Sequence, residues 1–363
     1  MKKLRLLYLP VEQQEGEQRA RRKILQDMHQ ENRLEALEIF SYQIYGRKYG
    51  WKAMTQKIYE TACNFQADAI YWHGLWEGDL DKNYMQQLLN LKTLPTLCHD
   101  NGDAFGNFWV NPPPKSLKQL SPYMDVCFSV GMGRQEVMTK NFGAKKVFLL
   151  PNAYDEVSFP DQVLLPLAGQ KFDLVMIANR WRSRRPFASM PGVKARTDLV
   201  NVLNEEFGDR FALYGKGWDG IPCAHGPIDF FKQSQAFQQS KVAIGLPNFF
   251  DIDYYESNRP FNTIAAGIPY VSGYSQKFDQ ILKDGIHCHY FKTPQEAVDK
   301  VKWLLSLPEQ EIIEMGRYAA EYVRKNHTVR NRVEIVISTL EGIWAHKHAN
   351  APFPEPPTSF FAH

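Results

Sequence analysis

The sequence predicts an α/β protein made of two doubly wound parallel-sheet units that follow one another along the chain. Three observations carry this. A chain of 363 residues exceeds the ~150 residues that one core usually organises. Short apolar runs alternate with longer amphipathic stretches, the pattern of parallel strands covered by helices. That alternation breaks at the proline-bearing stretch PDQVLLPLAGQ (160–170) and then starts again.

In the first unit LRLLYL (4–9) reads as a buried strand, followed by a basic helical stretch over about 17–28. LEALEIFSY (34–42) is a second strand, 51–65 a helix and DAIYWHG (68–74) a third strand. A helix near 82–91 precedes the strand TLPTLCHD (93–100), and MDVCFSVG (124–131) is the fifth. After a helix near 134–142, KKVFLLPNAYDEVSF (145–159) begins as a strand and ends in turn residues. In the second unit FDLVMIAN (172–179), FALYGKGW (211–218), KVAIGLP (241–247) and IPYVSG (268–273) read as strands. Helices are expected near 197–207, 294–306, 309–325 and 329–347. The expected division is therefore a first domain over 1–159, a linker over 160–170 and a second domain over 171–328. A C-terminal helix over 329–349 and an extended proline-rich tail over 350–363 complete the chain. Open parallel sheets bind ligands beyond the carboxyl ends of their strands, so two such units facing each other would place a ligand cleft between them.

Composition narrows the function. Hydrophobic residues make up 44% and charged residues 23%, a soluble mix that excludes collagen-like and disordered architectures. A net charge of +3 gives no global pull toward nucleic acid or membrane, so any basic site is local. The cysteines at 63, 98, 127, 223 and 288 form no C-x-x-C pair, which argues against a disulfide framework and a structural zinc. The apolar start is too short for a signal peptide, and no run reaches the ~18 apolar residues of a membrane span. A cytoplasmic protein is expected. Peripheral contact with the inner membrane face is left open by Arg19, Arg21, Arg22 and Lys23, which could meet anionic lipid or simply form a solvated helix end.

The most informative stretch is ESNRPFNTIAAGIPYVSG (256–273). Ser257 and Asn258 can cap a helix, Pro260 suits its first turn, and Gly267 suits its end before a strand. The helix start beside Arg259 would offer backbone N–H groups to a phosphate or diphosphate. Together with FDQILKDGIHCHYFKTPQEAVDKVKWLL (278–305), NHTVRNRV (326–333), LPNAYDEVSF (150–159) and FALYGKGW, this stretch resembles the "glycosyl transferases group 1" sequences. Those are nucleotide-sugar glycosyltransferases of the B-type (GT-B) fold, two facing Rossmann-like domains with a cleft between them. The likeness runs over about 124–347, with the earlier residues matching in pattern only.

The resemblance implies transfer of a sugar from a nucleoside diphosphate sugar, without a metal and mostly with retention of anomeric configuration. The nucleotide sugar would be a co-substrate, and no other cofactor is expected. The acceptor would be a glycan, lipid or other hydroxyl compound on the first domain, with no stable nucleic-acid partner. The donor would meet Arg180, Lys216 and Gly217, then Glu256, Ser257, Asn258, Arg259, Phe261 and Asn262. Many members carry a Glu where this chain has Asn262, and a second where it has Tyr254; Glu256 is the nearest carboxylate. The run IANRWRSRRP (177–186) adds Arg182, Arg184 and Arg185 as alternatives to Arg180 for charge-assisted bonds to phosphate.

In the first unit YWHGLWEGD (71–79) and CHDNGDAFGN (98–107) follow strands and put histidines and carboxylates near glycine. His99 with Asp100 or Asp103 is the preferred general base, His73 the next, and Glu77 a further candidate. Retention would need no strong base, because the leaving phosphate can take the acceptor proton. The triplets Asp79-Leu80-Asp81 and Asp251-Ile252-Asp253 and the run His287-Cys288-His289 are not read as metal sites. NFFDIDYY (248–255) is either a stacking wall or core. Two competing readings stand beside the enzyme: a non-catalytic nucleotide-sugar or glycan binding protein on the same scaffold, and a nucleic-acid glycosyltransferase.

Overall fold

The structure is a computed structural model that describes residues 2–74, 76, 78–107, 110–159, 169–180 and 190–362. The chain forms two units. The first comprises Met1–Ala104, Pro113–Pro151 and Val329–Thr358, and the second Phe105–Pro112, Asn152–Thr328 and Ser359–His363. The boundary thus falls at 151/152, before the 159 expected from the sequence. Residues 105–112 group with the second unit, and the C-terminal helix is part of the first.

The first unit holds strands β1 (Arg5–Leu9), β2 (Ala36–Ile39), β3 (Ala69–His73), β4 (Thr96–Asn101), β5 (Val126–Ser129) and β6 (Val147–Leu149). Its helices are α1 (Arg19–Gln30), α2 (Tyr42–Tyr49), α3 (Trp51–Phe65), α4 (Lys82–Leu89), α5 (Lys115–Leu120) and α6 (Arg134–Asn141). The strands pair in parallel in the order β2-β1-β3-β4-β5-β6. β1 and β3 are buried along almost their whole length, as a parallel sheet covered on both faces requires.

The second unit holds β7 (Phe172–Ile177), β8 (Phe211–Tyr214), β9 (Ala224–Gly226), β10 (Ser240–Gly245), β11 (Tyr270–Gly273) and β12 (His289–Phe291). Its helices are α7 (Pro191–Phe207), α8 (Gln233–Gln238), α9 (Arg259–Ala265), α10 (Pro294–Ser306) and α11 (Glu309–Asn326), and α12 (Val329–Ala349) closes the set on the first unit. The sheet order is β12-β11-β10-β7-β8-β9, all parallel. Strand order therefore reverses between β7 and β10. This is the topological switch point at which doubly wound sheets open a ligand crevice.

The D-x-D triplets have structural work. Asp81 caps α4 by accepting from the Asn83 and Tyr84 amides, Asp79 pairs with Lys115, and Asp253 pairs with Lys277 at 2.7 Å. Arg21 and Arg22, read as a lipid-facing or solvated run, turn inward instead. Arg21 pairs with Asp100 at 3.0 Å, and Arg22 with Glu12, which is 1% exposed. No helix among the described residues is long and apolar enough to cross a membrane.

Candidate functional site

At the carboxyl end of β7 the chain continues through Ala178, Asn179 and Arg180 beside the turn Gly215-Lys216-Gly217 that follows β8. The Ala178 amide donates to the Tyr214 carbonyl and the Arg180 amide to the Lys216 carbonyl, both at 2.8 Å. Asn179 Oδ1 accepts from the Lys216 amide at 2.9 Å. Only glycine permits this approach. Gly215 has φ +144° and a Cβ there would lie 2.0 Å from the Ala178 carbonyl oxygen; Gly217 has φ +84° and 2.5 Å to that of Arg180.

The start of α9 faces the same place. Pro260 occupies the first turn, and the Arg259 amide donates to Ser257 Oγ at 3.4 Å. The Asn262 amide closes on the Asn258 carbonyl. With proline lacking an N–H, the helix start has few amides left for an anion, contrary to the sequence expectation, and side-chain cations become the main source of positive charge.

These elements enclose a cavity of ≈ 230 Å³ whose lining includes Asn179, Lys216, Phe230, Asn258, Arg259 and Asn262. Beneath it lies Arg196 of α7, 2% exposed. It donates to the Asn179 carbonyl at 2.8 Å, to the Leu246 carbonyl at 3.1 Å and to Asn248 Oδ1 at 3.0 Å. It thus cross-braces the ends of β7 and β10 where they part. Burial, with the positive charge of Arg259 adding, lowers its pKa to about 10. Arg259 itself reaches the same Leu246 carbonyl at 3.4 Å. Glu256 is 3% exposed. Its Oε1 accepts from the amide and hydroxyl of Ser257, while Oε2 is buried without a partner. Burial raises the Glu256 pKa, against the opposing pull of Arg259.

Of the expected donor contacts, Lys216, Asn258, Arg259 and Asn262 line the cavity. Gly217 shapes the turn, and Glu256 and Ser257 support the loop before α9. Asn262 Oδ1 is engaged by the Asp155 amide at 3.0 Å, so that oxygen is already used within the protein. Phe261 is a correction: it is fully buried, edge-on to Phe278 at 5.9 Å, because a seven-residue helix turns this position into the core. Arg180 does not line the cavity; its guanidinium lies 5.5 Å from the Trp218 ring centroid. Arg182, Arg184 and Arg185 lie outside the described residues, as does Glu77. In NFFDIDYY, Phe249 and Tyr255 are buried, so core packing prevails there. Arg196 and Phe230 were missed. The capping Asp229 of IDFFK, whose side chain accepts from the Phe231 amide, was the local signal for the turn that presents Phe230.

In the first unit the expected bases sit at the ends of β3 and β4. His99 and Asp100 are consecutive in a strand and face opposite sides of the sheet, so they do not form a pair. Asp100 accepts from the Tyr71 hydroxyl at 2.8 Å and from Arg21 at 3.0 Å. His73 Nδ1 meets the Tyr8 hydroxyl at 3.1 Å, and His99 Nε2 meets the Gly74 carbonyl at 3.2 Å. Burial lowers the His99 pKa to about 4 and takes His73 well below its ordinary value, so both rings are neutral near pH 7. Asp103 is exposed.

Residues 194–338 match a family described as glycosyl transferase-like. No curated protein matches the sequence. Solved structures with the same fold include HepE of Anabaena in complex with UDP and glucose, at 10% identity and TM-score 0.56 over 93% of this chain and 99% of that one. A glycosyltransferase from Rickettsia africae aligns at 10% identity and TM-score 0.58 over 97% and 100%. A UDP-forming α,α-trehalose-phosphate synthase from Burkholderia vietnamiensis aligns at 11% and 0.56 over 96% and 98%. The fold is therefore that of the B-type nucleotide-sugar glycosyltransferases. The family match lies mainly in the second unit, which carries the cavity.

Proposed function

We propose that the protein is a glycosyltransferase that takes its sugar from a nucleoside diphosphate sugar bound in the second unit. The observation that carries this is the cavity at the β7/β10 switch point, where Lys216 and Arg259 converge beside an aromatic ring, Phe230, suited to a nucleobase. Two of the structures above support the donor class: HepE is in complex with UDP and glucose, and the trehalose-phosphate synthase is UDP-forming.

Lys216 and Arg259 would stabilise the charge that grows on the departing diphosphate, the role a metal ion plays elsewhere. Asn258 and Asn262 Nδ2 can hydrogen-bond donor hydroxyls. The first unit would receive the acceptor. There the ring nitrogen named for each of His73 and His99 is in an internal hydrogen bond, and Asp100 is paired with Arg21. Retention needs no protein base: the sugar–phosphate bond breaks as the new glycosidic bond forms on the same face, and the acceptor hydroxyl's proton passes to the leaving phosphate oxygen.

Titrating UDP-, GDP- and ADP-sugars by calorimetry, then following sugar release with and without acceptors, tests the reading. Arg259→Ala should lower turnover by about 10²-fold with an unchanged circular dichroism spectrum. Unchanged turnover removes Arg259 from the mechanism. A sugar nucleotide that is bound but never turned over makes the protein a binder.

A further inference from the structure

The end of the chain docks on the loop that leads into the cavity. After α12 the tail is fastened to the first unit by Phe353, whose ring lies 6.4 Å from Phe148 and 5.5 Å from His346. Pro352, Pro354, Pro356 and Pro357 keep the following segment stiff. The last residues then join the second unit. Phe360 is fully buried, Phe361 meets the Tyr254 ring edge-on at 5.4 Å, and the Ala362 amide donates to the Gln280 carbonyl at 2.8 Å.

Tyr254 is an unusual receiver. Its φ is +62°, a left-handed conformation that an aromatic residue adopts only when its surroundings over-determine it. The Tyr254 side chain packs partly buried against the second unit's core, and its hydroxyl donates to Gln280 Oε1 at 3.5 Å. The Tyr254 amide donates to the Gln276 carbonyl at 2.8 Å, Lys277 Nζ lies 5.6 Å from the ring centroid, and Phe361 covers an edge. Four and five residues on, Asn258 and Arg259 line the cavity.

We propose that Phe361, backed by the buried Phe360 ring 4.9 Å from it, is a positioning residue for the anion cavity: by holding the Tyr254 turn it holds Asn258 and Arg259 where a diphosphate needs them. The proposal rests on the reading of that cavity as a nucleoside diphosphate site. Without the tail, the turn relaxes toward ordinary backbone angles, and ligand binding must then reorder it.

The test uses the full chain, Phe361→Ala, Phe361→Tyr, and a chain stopped after Pro357. Hydrogen exchange of amides 252–259 is measured without ligand, and UDP, GDP and ADP are titrated into each. Phe361→Ala and the shortened chain should exchange faster in 252–259, with amides of β3 unchanged. They should bind the nucleotide about fivefold more weakly, the scale of one lost aromatic contact, and raise KM with kcat within about twofold. Phe361→Tyr should restore both. Should the shortened chain fail to fold, Phe361→Ala decides, since only a half-buried ring is trimmed. Exchange or affinity unchanged within twofold in Phe361→Ala overturns the proposal. A wild-type chain that binds none of the three nucleotides overturns the reading of the cavity, and the positioning role with it.

Discussion

Arg196 shows how a single side chain can support a cavity without lining it. The carbonyls of Asn179 and Leu246 lie at the ends of two strands that part, so the sheet gives them no partner, and the Arg196 guanidinium supplies both. Arg196→Met keeps the length but removes the bond to the Asn179 carbonyl and leaves that of Leu246 only the 3.4 Å contact from Arg259, and should cost ~3 kcal/mol in urea unfolding. Glu256 gives a pH-dependent signature. Because burial raises its folded-state pKa, the unfolded chain loses this proton first as pH rises, and the buried ionised carboxyl then weakens the fold. The stability of Glu256→Gln relative to wild type should therefore rise between pH 4 and pH 7, read from denaturant midpoints; a flat difference contradicts the burial argument. Arg259 and Lys216 were legible in the sequence because each adjoins a turn or cap signal. Arg196 was not, since its spacing within a helix gives no hint that strand carbonyls await it. Phe261 was misread for the converse reason: its place beside Arg259 suggested the ligand, while helix phase carried it inward.

At the scale of elements, apolar runs of four or more residues marked most of the strands, and α3 and α10 agree with the lengths read from periodicity. β9 was missed because three residues at a sheet edge, Ala224–Gly226, contain no apolar run. α5 and α8, six residues each, are too short for a helical period to register. β1, β3 and β4 end in a buried polar layer in which Tyr8, Tyr71, His73 and Asp100 share one face. The candidate bases at these strand ends are tied into the protein at one ring nitrogen each, His73 to the Tyr8 hydroxyl and His99 to the Gly74 carbonyl. His99, on the opposite face, has its pKa lowered from 6.5 to about 4. The unfolded chain takes up the proton first as pH falls, so its share of stability is full above about pH 6.5 and drains by ~3 kcal/mol toward pH 4. Urea unfolding of His99→Gln should show a shallower loss over that window than the wild type.

For the whole molecule, the repetition of the α/β pattern made two units legible, while their boundary lies at 151/152 and most of the linker expected at 160–170 is outside the described residues. The return of the chain to the first unit was not legible. α12 reads locally as an ordinary helix, and its buried residues, such as Val333, Val336, Ile337 and Leu340, seat it on the first unit together with ion pairs to distant residues. Arg33 reaches Glu334 at 2.8 Å and also pairs with Glu341, and Lys347 meets Asp125 at 2.7 Å. The tail beyond it reads as a proline-rich extension, and only tertiary packing shows that Phe360 is buried. The second sheet's switch point, set by the order of its six strands, is what turns a few scattered polar residues into one site. A crystal of the full chain soaked with UDP, GDP or ADP tests that claim most directly. The account predicts diphosphate oxygens within ~3 Å of Lys216 Nζ and the Arg259 guanidinium, with the base beside Phe230. A nucleotide bound elsewhere on the chain, with this cavity empty at saturating concentration, would contradict it.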